Sequence, residues 1–176
     1  MTYPVTGLFS TPYRLALMLA ECETVQLLLE AEDASVALEK ITTYSEDEMP
    51  LPRIIIHVDG DTIGLKSDSE LGWVEGEHRR LGAEFQIYIP DDDDSILNTR
   101  DQHNYVLDKM GSVLEELLAL QATGEPIVGT THLRIYDPAL MMPQRCPMDE
   151  RFDRDEIDRG IEARPLWFSL LTVEVH

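Results

Sequence analysis

Apolar positions along this chain follow two periods, and the switches between them divide it into elements. Leu15, Met18, Leu19 and Cys22 recur at i, i+3, i+4 and i+7, the buried stripe of a helix. Thr11 followed by Pro12 predicts where that helix opens, because proline in the first turn forfeits no hydrogen bond. A second start is expected at Thr24, with Val25, Leu28 and Leu29 on one face, and Asp33 caps a third piece through Ile41. Residues 11–41 are therefore expected to be helical, in pieces. Residues 45–52 are acidic and end in Pro50 and Pro52, which bar helix and lead into extended chain.

The period then falls to two. Ile54, Ile56 and Val58 alternate with Arg53, Ile55 and His57, which predicts a strand over 53–59. Residues 60–82 are polar and dotted with glycine, and their one apolar patch is Leu71, Gly72, Trp73 and Val74. They read as a protruding hairpin or long loop. Ala83, Phe85, Ile87 and Ile89 alternate with Glu84, Gln86 and Tyr88, a strand over 83–90 that is wet on one face. Thr99 and Gln102 have the spacing of a capping box, and Val106, Met110, Val113, Leu114, Leu117 and Leu118 form one long stripe, so 99–123 is a helix. Thr131, Leu133 and Ile135 alternate with His132, Arg134 and Tyr136, a strand over 130–137 closed by Asp137 and Pro138. A long loop is expected over 138–164, with one helical turn between Arg154 and Ile161. A last strand over 165–175 points Trp167, Leu171, Val173 and Val175 one way and Leu166, Phe168 and Leu170 the other.

This order predicts an α+β fold, a mostly antiparallel sheet of about four to five strands with helices packed on one face and a protruding hairpin or long loop. At 176 residues and 43% hydrophobic composition the chain suits a single domain, 1–176, with its own core. The opening residues lack a basic region followed by an apolar core and a cleavage site, so no export signal is expected. Its most apolar stretch, residues 15–29, is interrupted by Glu21 and Glu23 and falls short of the roughly 20 residues a membrane span needs. Cys22 and Cys146 lie far apart without partners at metal-ligand spacing, which fits a reducing cytosol better than a disulfide or zinc scaffold.

Charge alters the functional picture most. The net charge is −20, from 34 acidic and 14 basic side chains, and sequence-independent attraction to nucleic-acid phosphates needs the opposite sign.

Three groups of residues invite a chemical reading. Asp59, Asp61, Gly64 and Glu70 match positions 1, 3, 6 and 12 of a calcium loop, but Ile63 replaces an oxygen ligand, Lys66 replaces an apolar anchor, and the segment follows a strand. A plain Asp/Gly turn accounts for it better, so this is a weak candidate metal site. His57 and Asp59 lie two apart on a strand and share a face, as a base and its orienter would; a half-exposed strand histidine beside a turn aspartate is the simpler account, and His132 receives the same reading. Cys146 has Arg145 beside it but no neighbouring histidine to make a reactive thiol. No serine elbow, phosphate-cradling loop or His-Glu-x-x-His pair accompanies these residues, so neither catalysis nor a cofactor is expected. Asp91, Asp92, Asp93 and Asp94 precede a helix, where its dipole favours negative charge.

Taken in order, the whole chain resembles the tail-terminator and tail-completion proteins of tailed bacteriophages. The resemblance rests on layout: the helical opening, the proline link Met49, Pro50, Leu51, Pro52 into Ile54, Ile55 and Ile56, a variable hairpin, the strand of Phe85, Ile87 and Ile89, the helix from Gln102 to Gln121, and the closing strand of Trp167, Leu171 and Val173. The long acidic segment 148–162 departs from that layout. The resemblance implies a virion structural protein assembled in the host cytoplasm, a homo-hexameric ring on the head-proximal end of the tail that contacts the tube protein and a head connector or stopper. DNA would pass through without specific binding, past a lumen whose carboxylates repel it. Glu75, Glu77, Asp91, Asp92, Asp93, Asp94, Asp149, Glu150, Asp153, Asp155 and Glu156 are the expected lumen or subunit-contact residues. Two alternatives come from other classes: an acidic DNA-mimic inhibitor, and a small metal-dependent hydrolase using His57, Asp59, Asp61 and Glu70.

Overall fold

The computed structural model describes residues 11–43, 50–58, 67–68, 73–74, 79–90, 96, 98–123, 135–146 and 165–175. The first apolar stripe forms α1 (Thr11–Glu21), α2 (Glu23–Leu28) and α3 (Ala34–Glu39). Asp33 caps α3 as expected, its carboxylate accepting from the Val36 N–H at 2.9 Å. Between α2 and α3 the backbone turns through Glu30, at φ 51°, and the Lys40 ammonium donates to the carbonyl of Leu29 at 2.6 Å and of Glu30 at 3.3 Å. A cation thus covers the carbonyl end of α2, where the dipole favours it.

The expected start at Thr24 is displaced. Cys22 occupies the N-cap position of α2 with no side-chain cap. Thr24 sits in the first turn, and its N–H and hydroxyl both bond to Glu116, across on α4 (Thr99–Thr123). The capping pair of α4 is likewise one residue earlier than Thr99 and Gln102: Asn98 accepts from the Asp101 N–H at 2.9 Å, and its amide donates to the Asp101 carboxylate. Gln102 is buried instead, accepting from the indole N–H of Trp167 at 3.1 Å.

Among the described residues, six strands join in one sheet, in the path β1 (Ile41–Thr42), β2 (Arg53–Val58), β5 (Arg79–Tyr88), β8 (Leu166–Val175), β6 (Ile135–Leu140), with β7 (Gln144–Arg145) also on β8. All pairings are antiparallel except β1 with β2, so the sheet is mixed within a mostly antiparallel α+β plan. β3 (Ser67–Asp68) and β4 (Trp73–Val74) pair separately as a small hairpin inside the stretch expected to protrude.

Four boundaries differ from the sequence expectation. Ile41 belongs to β1, since the helix stops at Glu39; its burial in the common core imitates the next step of a helical stripe. β5 begins at Arg79, because Gly82 lies inside the strand opposite Thr172 and does not end a loop. β6 runs on through Asp137 and Pro138 to Leu140, with a register shift between Tyr136 and Ala139; an edge strand tolerates proline there. Within the expected loop 138–164, residues 144–145 pair with β8, and residues 147–164, with the helical turn expected there, lie outside the described residues.

Alternation sorts the sheet into two faces. Ile54 and Ile56 of β2, Leu81, Ala83, Phe85 and Ile87 of β5, and Trp167, Leu171 and Val173 of β8 share one core with Leu15 and Leu19 of α1 and Val106, Met110, Val113 and Leu117 of α4, and α2 joins it through Val25 beside those helices. The helices pack on this face. Burying each such side chain contributes roughly 1.5–3 kcal/mol, so this layer supplies most of the stabilisation.

Candidate functional site on the far face of the sheet

The same alternation that fills the core sends every second side chain to the opposite face. On β2 these are Arg53, Ile55 and His57, on β5 Arg80, Glu84 and Gln86, and on β8 Leu166, Phe168 and Leu170. Ile55 and Leu166 are nonetheless buried, so the far face is half apolar.

A polar chain crosses from β2 to β5. The Arg53 guanidinium donates from Nε to Gln86 Oε1 at 2.7 Å, the Gln86 amide donates to Glu84 Oε1 at 2.7 Å, and Glu84 Oε2 lies 3.0 Å from His57 Nε2. Register builds this arrangement: Arg53 is opposite Gln86 and His57 opposite Gly82, which brings Glu84 diagonally beside the imidazole. The group facing His57 is therefore Glu84, on the neighbouring strand. Asp59, weighed from sequence as an orienter for His57 and set second to a half-exposed strand histidine, lies outside the described residues. His57 is half exposed and Glu84 about a third, so the pair is a solvated cross-strand contact of small energetic weight.

Beside this network lies an apolar groove. Met141 and Met142, in the link between β6 and β7, are 54% and 62% exposed, and with Phe168, Leu170, Gln144 and Glu84 they line a shallow open depression. Backbone bonds fix the link: Met141 N–H donates to Leu170 O at 2.9 Å, and Ser169 Oγ donates to Met141 O at 3.5 Å. Two exposed, unbranched thioethers beside a half-buried phenylalanine make an adaptable contact surface. Of this groove, the sequence showed only that Phe168 and Leu170 share one face of the last strand; Met141 and Met142 fell within the expected loop 138–164.

A second depression, between the α1–α2 junction and α4, is lined by Glu21, Cys22, Glu23, Glu116, Ala119 and Leu120. Cys22 donates from Sγ to Met18 O at 3.4 Å, and burial, reinforced by the Glu116 and Glu21 carboxylates, pushes its thiol well above the usual range. Cys146 is also buried, and neither cysteine is in a disulfide. Neither thiol has the exposed, electropositive setting of a nucleophile.

Among the described residues, no group of three His, Cys, Asp or Glu side chains is placed to hold a metal ion, and no helix is long and apolar enough to cross a membrane. The sequence candidates Asp59, Asp61, Glu70, Glu75, Glu77, Asp91, Asp92, Asp93, Asp94, His132, Asp149, Glu150, Asp153, Asp155 and Glu156 all lie outside the described residues. No protein-family model matches the chain, and no curated protein matches it in sequence.

Proposed function

We propose that this chain is a structural assembly subunit, a ring-forming protein of the tail-terminator or tail-completion kind. In this reading copies of the chain close into a ring, expected to be hexameric, at the head-proximal end of a phage tail. The ring ends polymerisation of the tube, meets the head connector or stopper on its other side, and lets DNA pass. The place of action is the tail and neck of the virion, and the chain has no catalytic role.

The observation that carries the reading is the pair of exposed methionines seated beside Phe168 and Leu170 on a sheet face. Exposed apolar patches of this sort mark contact surfaces. The net charge of −20 supports the passage of DNA, because a carboxylate-lined channel repels phosphate. The order of helices and strands supports the family resemblance. Negative-stain images of the purified chain, alone and mixed with tail-tube protein, test the reading. Rings with a central hole, or tubes capped at one end, are the expected result; tubes that grow without limit in its presence contradict it.

A second reading is favoured by one local observation. Glu21, Glu23, Glu30, Glu32, Asp33 and Glu39 are all exposed, and no Lys or Arg lies between residues 15 and 39. A helical surface of that composition suits an acidic DNA mimic, which works as a monomer or dimer, so the mass in solution separates the two readings.

A further inference from the structure

The two outer surfaces of the molecule differ in charge. Among the described residues of α1–α3, the acidic helical surface has one large apolar residue in the open, Leu27 of α2, at 60% exposure, with Glu23 one turn earlier on the same face and Glu30 just beyond the helix; on α4, Leu118 is 42% exposed. Pairing two such surfaces would set six carboxylates against six, an arrangement that like-charge repulsion disfavours. The far face of the sheet is different: Arg53, Arg80 and the ionisable His57 accompany Glu84, with Glu174 opposite Arg80 in the register. In a chain of net charge −20 this makes it a near-neutral surface.

Edge-to-edge continuation of the sheet is a poor alternative. At one edge β1 offers two residues, and at the other β6 is broken by a register shift and carries Pro138. Short, irregular, proline-bearing edges resist strand addition.

We propose that the surfaces meet head to tail: α2 of one copy lies on the far face of the next, with Leu27 entering the groove of Met141, Met142, Phe168 and Leu170. Glu23 and Glu30 then lie toward the arginines of that face. The inference rests on the assembly reading above and names its contact. The interface is heterologous, so each copy uses both surfaces and the chain of contacts closes into a ring when the rotation permits.

Two substitutions at exposed positions test this without touching the core, Leu27→Lys on the helical surface and Met142→Lys on the sheet. Circular dichroism melts confirm that both fold, and sedimentation velocity reads assembly. The wild-type chain is expected to form species larger than a dimer, and each variant to lose at least about tenfold in association. An equimolar mixture is expected to give a one-to-one complex and nothing larger, because one intact sheet face meets one intact helix face. If Leu27→Lys assembles as the wild type does, the occupant is wrong while assembly itself stands. If both variants assemble normally, another surface is used and the inference falls. A wild-type chain that stays monomeric at every concentration overturns both the inference and the assembly reading.

Discussion

Gly82 on β5 and Leu170 on β8 approach so closely that a Cβ at position 82 would lie 3.1 Å from Leu170 Cδ1. The glycine lets the leucine lie across the sheet and form one wall of the groove. Gly82→Val adds bulk that Leu170 must evade, and is expected to lower stability by about 1–3 kcal/mol in urea denaturation. Gly82→Ala is expected to be nearly neutral, because the strain is offset by the roughly 0.5–1 kcal/mol that glycine costs in a strand.

Trp167 and Gln102 tie the first turn of α4 to the start of β8 through a buried hydrogen bond at 3.1 Å, and His103 meets the same indole edge-on at 6.0 Å between centroids. Gln102→Leu leaves the indole N–H without its acceptor. The expected loss is about 1–3 kcal/mol, and adding Trp167→Phe should recover part of it in a double-mutant cycle.

Much of this fold was legible in the pattern of apolar residues. The alternation of Ala83, Phe85 and Ile87 and the stripe of Val106, Met110, Val113 and Leu117 each report burial on one face; the helix forms over the expected 99–123, and the strand covers the alternating residues but starts earlier, at Arg79. What could not be read depends on distant partners. Gly82 looks like a loop residue until Leu170 is placed over it. The partner of His57 is 27 residues away, and only the register of β2 with β5 brings Glu84 beside it. β1 and β7, two residues each, are too short for any period to show.

Gly111 sits in the interior of α4 with nothing within 4 Å of the position a Cβ would take. Gly111→Ala is expected to raise stability by about 0.5–1 kcal/mol, since it removes backbone freedom from the unfolded chain without a clash. A higher midpoint in thermal melts checks this.

Glu116 accepts from both the N–H and the hydroxyl of Thr24 and so joins α2 to α4. Glu116→Ala orphans a helix-start N–H and is expected to cost about 1–2 kcal/mol in chemical denaturation.

Cys22 makes stability depend on pH in one direction. Its folded-state pKa is raised by burial and by Glu116 and Glu21, so the unfolded chain loses the thiol proton first. The contribution is whole below the unfolded value of about 8.5 and declines above it, by up to ~1.4 kcal/mol per pH unit. The stability difference between the wild type and Cys22→Ala should therefore shrink between pH 8.5 and 10.5, and a difference that stays constant there would contradict the assignment.

The claim that most needs testing is self-assembly, and the mass of the chain in solution tests it most directly. Sedimentation equilibrium across a wide concentration range should show the 20.0 kDa chain passing into a closed species, about 120 kDa for six copies. A single species of 20.0 kDa at every concentration would contradict the account.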